Sequence, residues 1–148
     1  MHITLGFLHD AAEQKLDKTR ALLTAGTWRA PLVRLTGEVR HGNWALAKDP
    51  AYRYDEEVVQ KGEQVRLGVE HKDELRRIQE EITQGLDIVE DGFWPHVTLG
   101  LATEDFPADP ARDMPLPSVS GAAPSVDAQR EVSAVEFTTL VRKNLPRT

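Results

Sequence analysis

A five-residue segment occurs twice in this chain. His2-Ile3-Thr4-Leu5-Gly6 returns as His96-Val97-Thr98-Leu99-Gly100, with four positions identical and Ile exchanged for Val. Each copy alternates polar and apolar residues, the pattern of a strand with one buried face. Side chains two apart on a strand point the same way, so His2 shares a face with Thr4, and His96 with Thr98. Ile3, Leu5, Val97 and Leu99 point to the opposite face and are candidate core. Such a repeat predicts two related halves, each a strand-helix-strand unit, packed about a pseudo-two-fold axis.

The rest of the chain supplies the elements. Residues 2–8 read as a strand with Ile3, Leu5 and Phe7 on one face. A helix follows, with Asp10 and Glu13 placed as a capping box. Leu16, Thr19, Leu22 and Leu23 form its apolar stripe, and Gly26 is its stop. Residues 28–40 read as a strand in which Val33, Leu35 and Val39 alternate with Arg34, Thr36, Glu38 and Arg40. Residues 43–57 are polar and aromatic and read as a loop. Residues 58–70 read as one long strand or a hairpin, clearest where Val65, Leu67 and Val69 alternate with Arg66, Gly68 and Glu70. A second helix fits residues 73–84, with Leu75, Ile78 and Ile82 on one face and Gly85 at its end. Strands are expected over about 93–101 and 132–142, the latter with Val135, Phe137 and Val141 on one face. Residues 103–130 hold five of the nine prolines and read as a long surface connection with a short strand hidden in it, or as a lid.

Composition narrows the function classes. At 148 residues the chain is read as a single domain, residues 1–148, with a sizeable core. The absence of cysteine excludes a disulfide framework, a thiolate metal site and a cysteine nucleophile. The formal charge of −6 argues against binding duplex DNA, which rests on Lys and Arg neutralising phosphates. A small phosphate-bearing ligand in a local pocket remains compatible with it. No apolar run is long enough to span a membrane, and the start of the chain lacks the pattern of a secretory signal, so a cytoplasmic protein is expected.

The repeat carries the chemistry. If the pseudo-two-fold sets the two motif strands side by side, two imidazoles and two hydroxyls converge on one cleft. A neutral imidazole activates an attacking oxygen while an imidazolium protonates the leaving oxygen. Threonine hydroxyls donate to the non-bridging oxygens of a phosphate, where the negative charge sits. This scheme needs no metal and no cofactor, and threonines are poor partners for a zinc site.

Two His-x-Thr motifs with hydrophobic neighbours, the second inside Phe93-Trp94-Pro95-His96-Val97-Thr98-Leu99, resemble the 2H phosphoesterase superfamily and above all its 2′-5′ RNA ligase-like branch. The order motif strand, helix, strands, helix, motif strand, final strand resembles it along nearly the whole chain. The resemblance implies an α+β bilobal fold, with two antiparallel sheets flanked by helices around a central cleft. It implies metal-independent hydrolysis of a 2′,3′-cyclic phosphate, a 2′-5′ linkage or a cyclic oligonucleotide. The catalytic pairs map onto His2 with Thr4 and His96 with Thr98. Small phage-encoded members degrade cyclic oligonucleotide signals, which makes that substrate class an expectation too. Family members usually carry a strand before the first motif, whereas here only Met1 precedes His2. Either the natural product starts upstream, or another segment braces this edge, or the first site is impaired; the expectation is a start site placed too late or a compact viral version. Two alternatives use the same pocket: a module that sequesters a cyclic nucleotide or RNA end without cleaving it, and 2′-5′ RNA end-joining.

Further candidates surround the motifs. Trp94 lies two residues before His96 and either stacks on a nucleobase or is a half-buried aromatic beside Pro95. Tyr52, Arg53 and Tyr54 sit in a polar loop, as a base-and-phosphate clamp or as a solvated turn. Arg34 and Arg40 share a strand face and, with Arg66, offer a basic strip to the cleft; the competing reading is a solvated face with Glu38 as partner. His9, His41 and His71 lie at element ends and read as surface residues. The acidic residues Glu104, Asp105, Asp109 and Asp113 lack the spacing of a calcium loop.

Overall fold

Helix α1 (Ala12–Ala25) buries Thr19 and Leu23 and half-buries Leu16 and Leu22, the stripe expected from the spacing. The Thr19 hydroxyl donates to the Lys15 carbonyl at 2.7 Å, which satisfies it inside the helix. The helix ends where the Gly26 amide donates to the Leu22 carbonyl at 3.0 Å. A Cβ at position 26 would lie 2.7 Å from the Trp28 ring, so glycine lets the chain fold that ring back underneath. Trp28 is 2% exposed, and its indole N–H donates to Glu81 at 2.6 Å.

Helix α2 (Asp73–Gly85) buries Leu75, Ile78 and Ile82. It ends at Gly85, where the sequence places its stop, and the residues just beyond close it. Asp87 takes the left-handed conformation (φ 53°), the Ile88 amide reaches the Thr83 carbonyl at 2.9 Å, and the Asp87 amide reaches that of Gln84 at 3.4 Å. These two bonds are a Schellman closure. Gly85 also serves packing: a Cβ there would stand 3.0 Å from Leu22 Cδ1, so this is where the two helices touch.

The computed structural model describes residues 2–8, 12–42, 63–88, 93–102, 120–131 and 137–147. Among them the fold is α+β, with two helices and two antiparallel sheets. Strands β1 (Leu32–Gly42), β2 (Glu63–Val69), β3 (His96–Ala102) and β4 (Ser120–Ala122) form one sheet in the order β3-β2-β1-β4. Strands β5 (Ser125–Glu131) and β6 (Phe137–Asn144) form the other. One core cluster joins Leu23, Trp28, Ile78, Ile82 and Leu86 to Val126 and Leu145, so the helices cover one face of β5-β6. A second joins Leu75 of α2 to Val69 and Val97, with Ile3, Leu5, Val33 and Leu35 packed against it. Burying each such side chain stabilises the fold by about 1.5–3 kcal/mol. No helix among the described residues is long and apolar enough to cross a membrane.

Several expectations change. The strand expected over 28–40 starts at Leu32, because Trp28, Ala30 and Pro31 turn into the interior first. Of residues 2–8 only Ile3 forms a bridge. Leu8 reaches the core while Phe7 is 43% exposed, so the alternation fails after Leu5. The second half of 103–130 is sheet, carrying β4 and β5; residues 103–119, and with them the four acidic residues and the possible lid, lie outside the described residues. So do Asp10, the side chain of Glu13, the loop at 43–57 with Tyr52, Arg53 and Tyr54, and Val135. The expected common face of Phe137 and Val141 is broken by a bulge. Val141 pairs with Ala128 but Thr139 with Gln129, which leaves Leu140 as the extra residue. Val141 therefore packs toward the helices and Phe137 toward the opposite face. The sheets differ in size, four strands and two, and the symmetry seen among the described residues is confined to the motif segments.

Candidate active site

The two motif copies meet. Ile3 forms an antiparallel bridge with Val97, and both turn their side chains into the second core cluster. Antiparallel pairing extended by one residue each way sets His2 across from Thr98, and Thr4 across from His96. With Ile3 and Val97 facing inward, all four lie on the opposite face of the sheet. A local two-fold passes through the bridge and exchanges the copies. The histidines occupy diagonal positions, which stand about 7–8 Å apart in a regular ladder, with the Cβ atoms somewhat closer. That is room for one tetrahedral group between two rings.

The next strand continues this face. On β2, Gly68 pairs with His96 and Arg66 with Thr98. Val65 through Val69 are all buried, so this strand is covered on both sides. Above Gly68 the cover comes from Thr36, Glu38 and Trp94: a Cβ at position 68 would lie 2.5 Å from Thr36 Oγ1, 3.0 Å from the indole and 3.5 Å from Glu38 Cβ. Thr36 and Glu38 reach it through a bulge in β1, where the register passes from Leu35↔Val69 directly to Val39↔Leu67. Gly37 takes a φ of 88° inside that bulge, and the Glu38 amide donates to Thr36 Oγ1 at 3.1 Å.

Each histidine has a distinct setting. His96 Nδ1 stands 2.8 Å from the Trp94 carbonyl oxygen. A carbonyl only accepts, so Nδ1 carries the proton and Nε2 is the nitrogen left for proton exchange. The Trp94 indole stacks on the His96 ring at 5.3 Å and 19°. The Trp94 indole thus lies against a catalytic candidate, the role its alternation with His96 left undecided. The His2 ring meets Phe137 edge-on at 5.0 Å, joining the motif to the outer face of β5-β6. Burial, with a smaller contribution from the positive amino terminus, holds the His2 pKa below its ordinary 6.5.

Other candidates are less central. Arg34 is exposed and pairs with Ser120 on β4, two strands away from β3. Arg40 pairs with Arg66; its side chain, and those of His41 and of His9, lie outside the described residues. His71 is not the surface residue expected: its ring packs edge-on to Phe93 at 4.8 Å, and burial lowers its pKa. No three His, Asp or Glu side chains that could hold a metal come together among the described residues. Sequence reasoning missed Phe137, Thr36 and Gly68 as parts of the site. The first was hidden by the bulge at Leu140, the others by the bulge at Gly37; that glycine inside a strand pattern was the available signal.

Compared with family models, with characterised proteins and with solved structures, the chain matches none.

Proposed function

We propose that this chain is a phosphoesterase of the 2H type, hydrolysing a nucleotide phosphodiester with two His-x-Thr motifs. The observation that carries the reading is the Ile3–Val97 bridge, which puts His2, Thr4, His96 and Thr98 on one face as a two-fold pair. The phosphate sits between the imidazoles. His2, whose setting favours the neutral ring, takes a proton from the attacking water or hydroxyl. His96 gives its Nε2 proton to the leaving oxygen, with Nδ1 anchored on the Trp94 carbonyl. Thr4 and Thr98 donate to the non-bridging oxygens. In this reading the four-stranded and two-stranded sheets are the two lobes of the family fold, and the His2–Phe137 contact lies at their junction.

The substrate class follows from a turnover assay in excess EDTA. The panel holds 2′,3′-cyclic mononucleotides, 2′-5′-linked oligoadenylate, and cyclic di- and trinucleotides, with products resolved by chromatography. The expected result is cleavage of at least one of them. Tight binding of a panel member recovered intact would replace hydrolysis with sequestration, and inertness toward all of them would remove the phosphoesterase reading.

A further inference from the structure

We infer that Arg66 is the anion-binding residue of this site, holding the non-bridging oxygens of the substrate phosphate together with Thr98. The inference rests on the phosphoesterase reading and extends it to a residue outside both motifs. Among the described residues Arg66 is the one buried residue that carries a full charge, at 8% exposure. Charged side chains are placed so deep where ionic or hydrogen-bonding partners hold them, and Arg66 has a partner within the chain. The register aims it: Arg66 pairs with Thr98, two residues along from the Gly68–His96 pair and on the same face, away from the core that takes Val65 and Leu67. Arg40 occupies the paired position on its other side, so two arginines stand at one level of the ladder.

A guanidinium suits the task. Its planar fork matches two phosphate oxygens at once, and its charge does not depend on pH in the range where imidazoles exchange protons. Glu38 shares this face, and five N–H donors on one guanidinium can serve a carboxylate and a phosphate together. Gly68 beside it carries no side chain to intrude on His96. The chain thereby binds a phosphodiester locally despite its formal charge of −6.

The test is binding of 3′-AMP and of inorganic phosphate, followed by NMR shifts of the histidine ring protons and by calorimetry. It uses the full chain, Arg66→Met and Arg66→Lys, with thermal melts to establish folding. The inference predicts that the wild type binds both probes. Arg66→Met is expected to weaken binding at least tenfold, and Arg66→Lys, which keeps the charge without the fork, by an intermediate factor. Wild-type affinity in a folded Arg66→Met overturns the inference and leaves the phosphoesterase reading standing. If Arg66→Met does not fold, Arg66→Lys decides: undiminished affinity there overturns it as well. Absence of binding by the wild type removes the reading and the inference together.

Discussion

The Trp94 carbonyl oxygen accepts from His96 Nδ1 at 2.8 Å, and the indole of the same residue lies against the imidazole at 19° from parallel. One residue thus fixes both the tautomer and the plane of a ring that, in the proposed mechanism, must deliver a proton. The indole keeps its place because position 68 is glycine: a Cβ there would press on the ring at 3.0 Å and on Thr36 Oγ1 at 2.5 Å.

Gly68→Ala tests this dependence. The added methyl must move Trp94, Thr36 or both, and overpacking of this kind costs about 1–3 kcal/mol of stability. Turnover is expected to fall by roughly tenfold or more, because a small misplacement of a catalytic group is costly. Trp94→Leu keeps the carbonyl but loses the stacked ring, and is expected to lower kcat with a smaller change in melting temperature. Steady-state kinetics and melts on both variants check this, and unchanged kcat in both would show that the indole does not position His96.

The chain's response to acid follows from the lowered pKa values of His2 and His71, both caused chiefly by burial. A histidine whose pKa is below 6.5 in the folded chain and ordinary in the unfolded one stabilises the fold at pH above 6.5. That contribution is lost as the pH falls through the lowered native values. Asp127 adds a further step in stronger acid. Its carboxylate accepts two bonds from Arg142, at 3.0 and 2.8 Å, and its pKa is lowered from 3.8. Melting temperature is expected to decline on acidification below 6.5, with a shallower decline in His71→Leu. An equal slope in that variant would remove His71 from the account.

The closure of α2 offers a stabilising change far from the motifs. Asp87 adopts a left-handed φ of 53°, which glycine tolerates without strain. Its side chain gives only an exposed pair with Lys18 at 3.3 Å, an interaction of small worth. Asp87→Gly is expected to raise stability by about 0.5–1 kcal/mol without altering turnover. A denaturant melt with an unchanged or lower midpoint would contradict this.

Periodicity made much of this fold legible. The buried faces of α1 and α2 follow directly from the spacing of Thr19 and Leu23, and of Leu75, Ile78 and Ile82. The shared face of the two motifs was legible for the same reason, since alternation is local. What alternation cannot reveal is where it breaks. The extra residue at Leu140 turned Phe137 toward His2, and the bulge around Gly37 brought Thr36 and Glu38 over Gly68. Which strand would neighbour the motif was equally hidden. Arg66 read as part of a basic strip with Arg34 and Arg40, and only the pairing of β2 with β3 put it beside Thr98. Helix α2 ends at Gly85 as its sequence indicates, but the left-handed residue that closes it is Asp87, while the missing side chain of Gly85 admits Leu22.

The central claim is that the two histidines act as one acid–base pair across the bridge. The most direct measurement is turnover of the best substrate by His2→Ala, His96→Ala and the double variant, in EDTA, with melts showing all three folded. Loss of an acid or base typically costs about 10²–10⁴-fold, and groups that act as a unit are far from additive. The account predicts that each single variant loses about two orders of magnitude or more and that the double variant is little worse than either. Wild-type turnover in either single variant would contradict it.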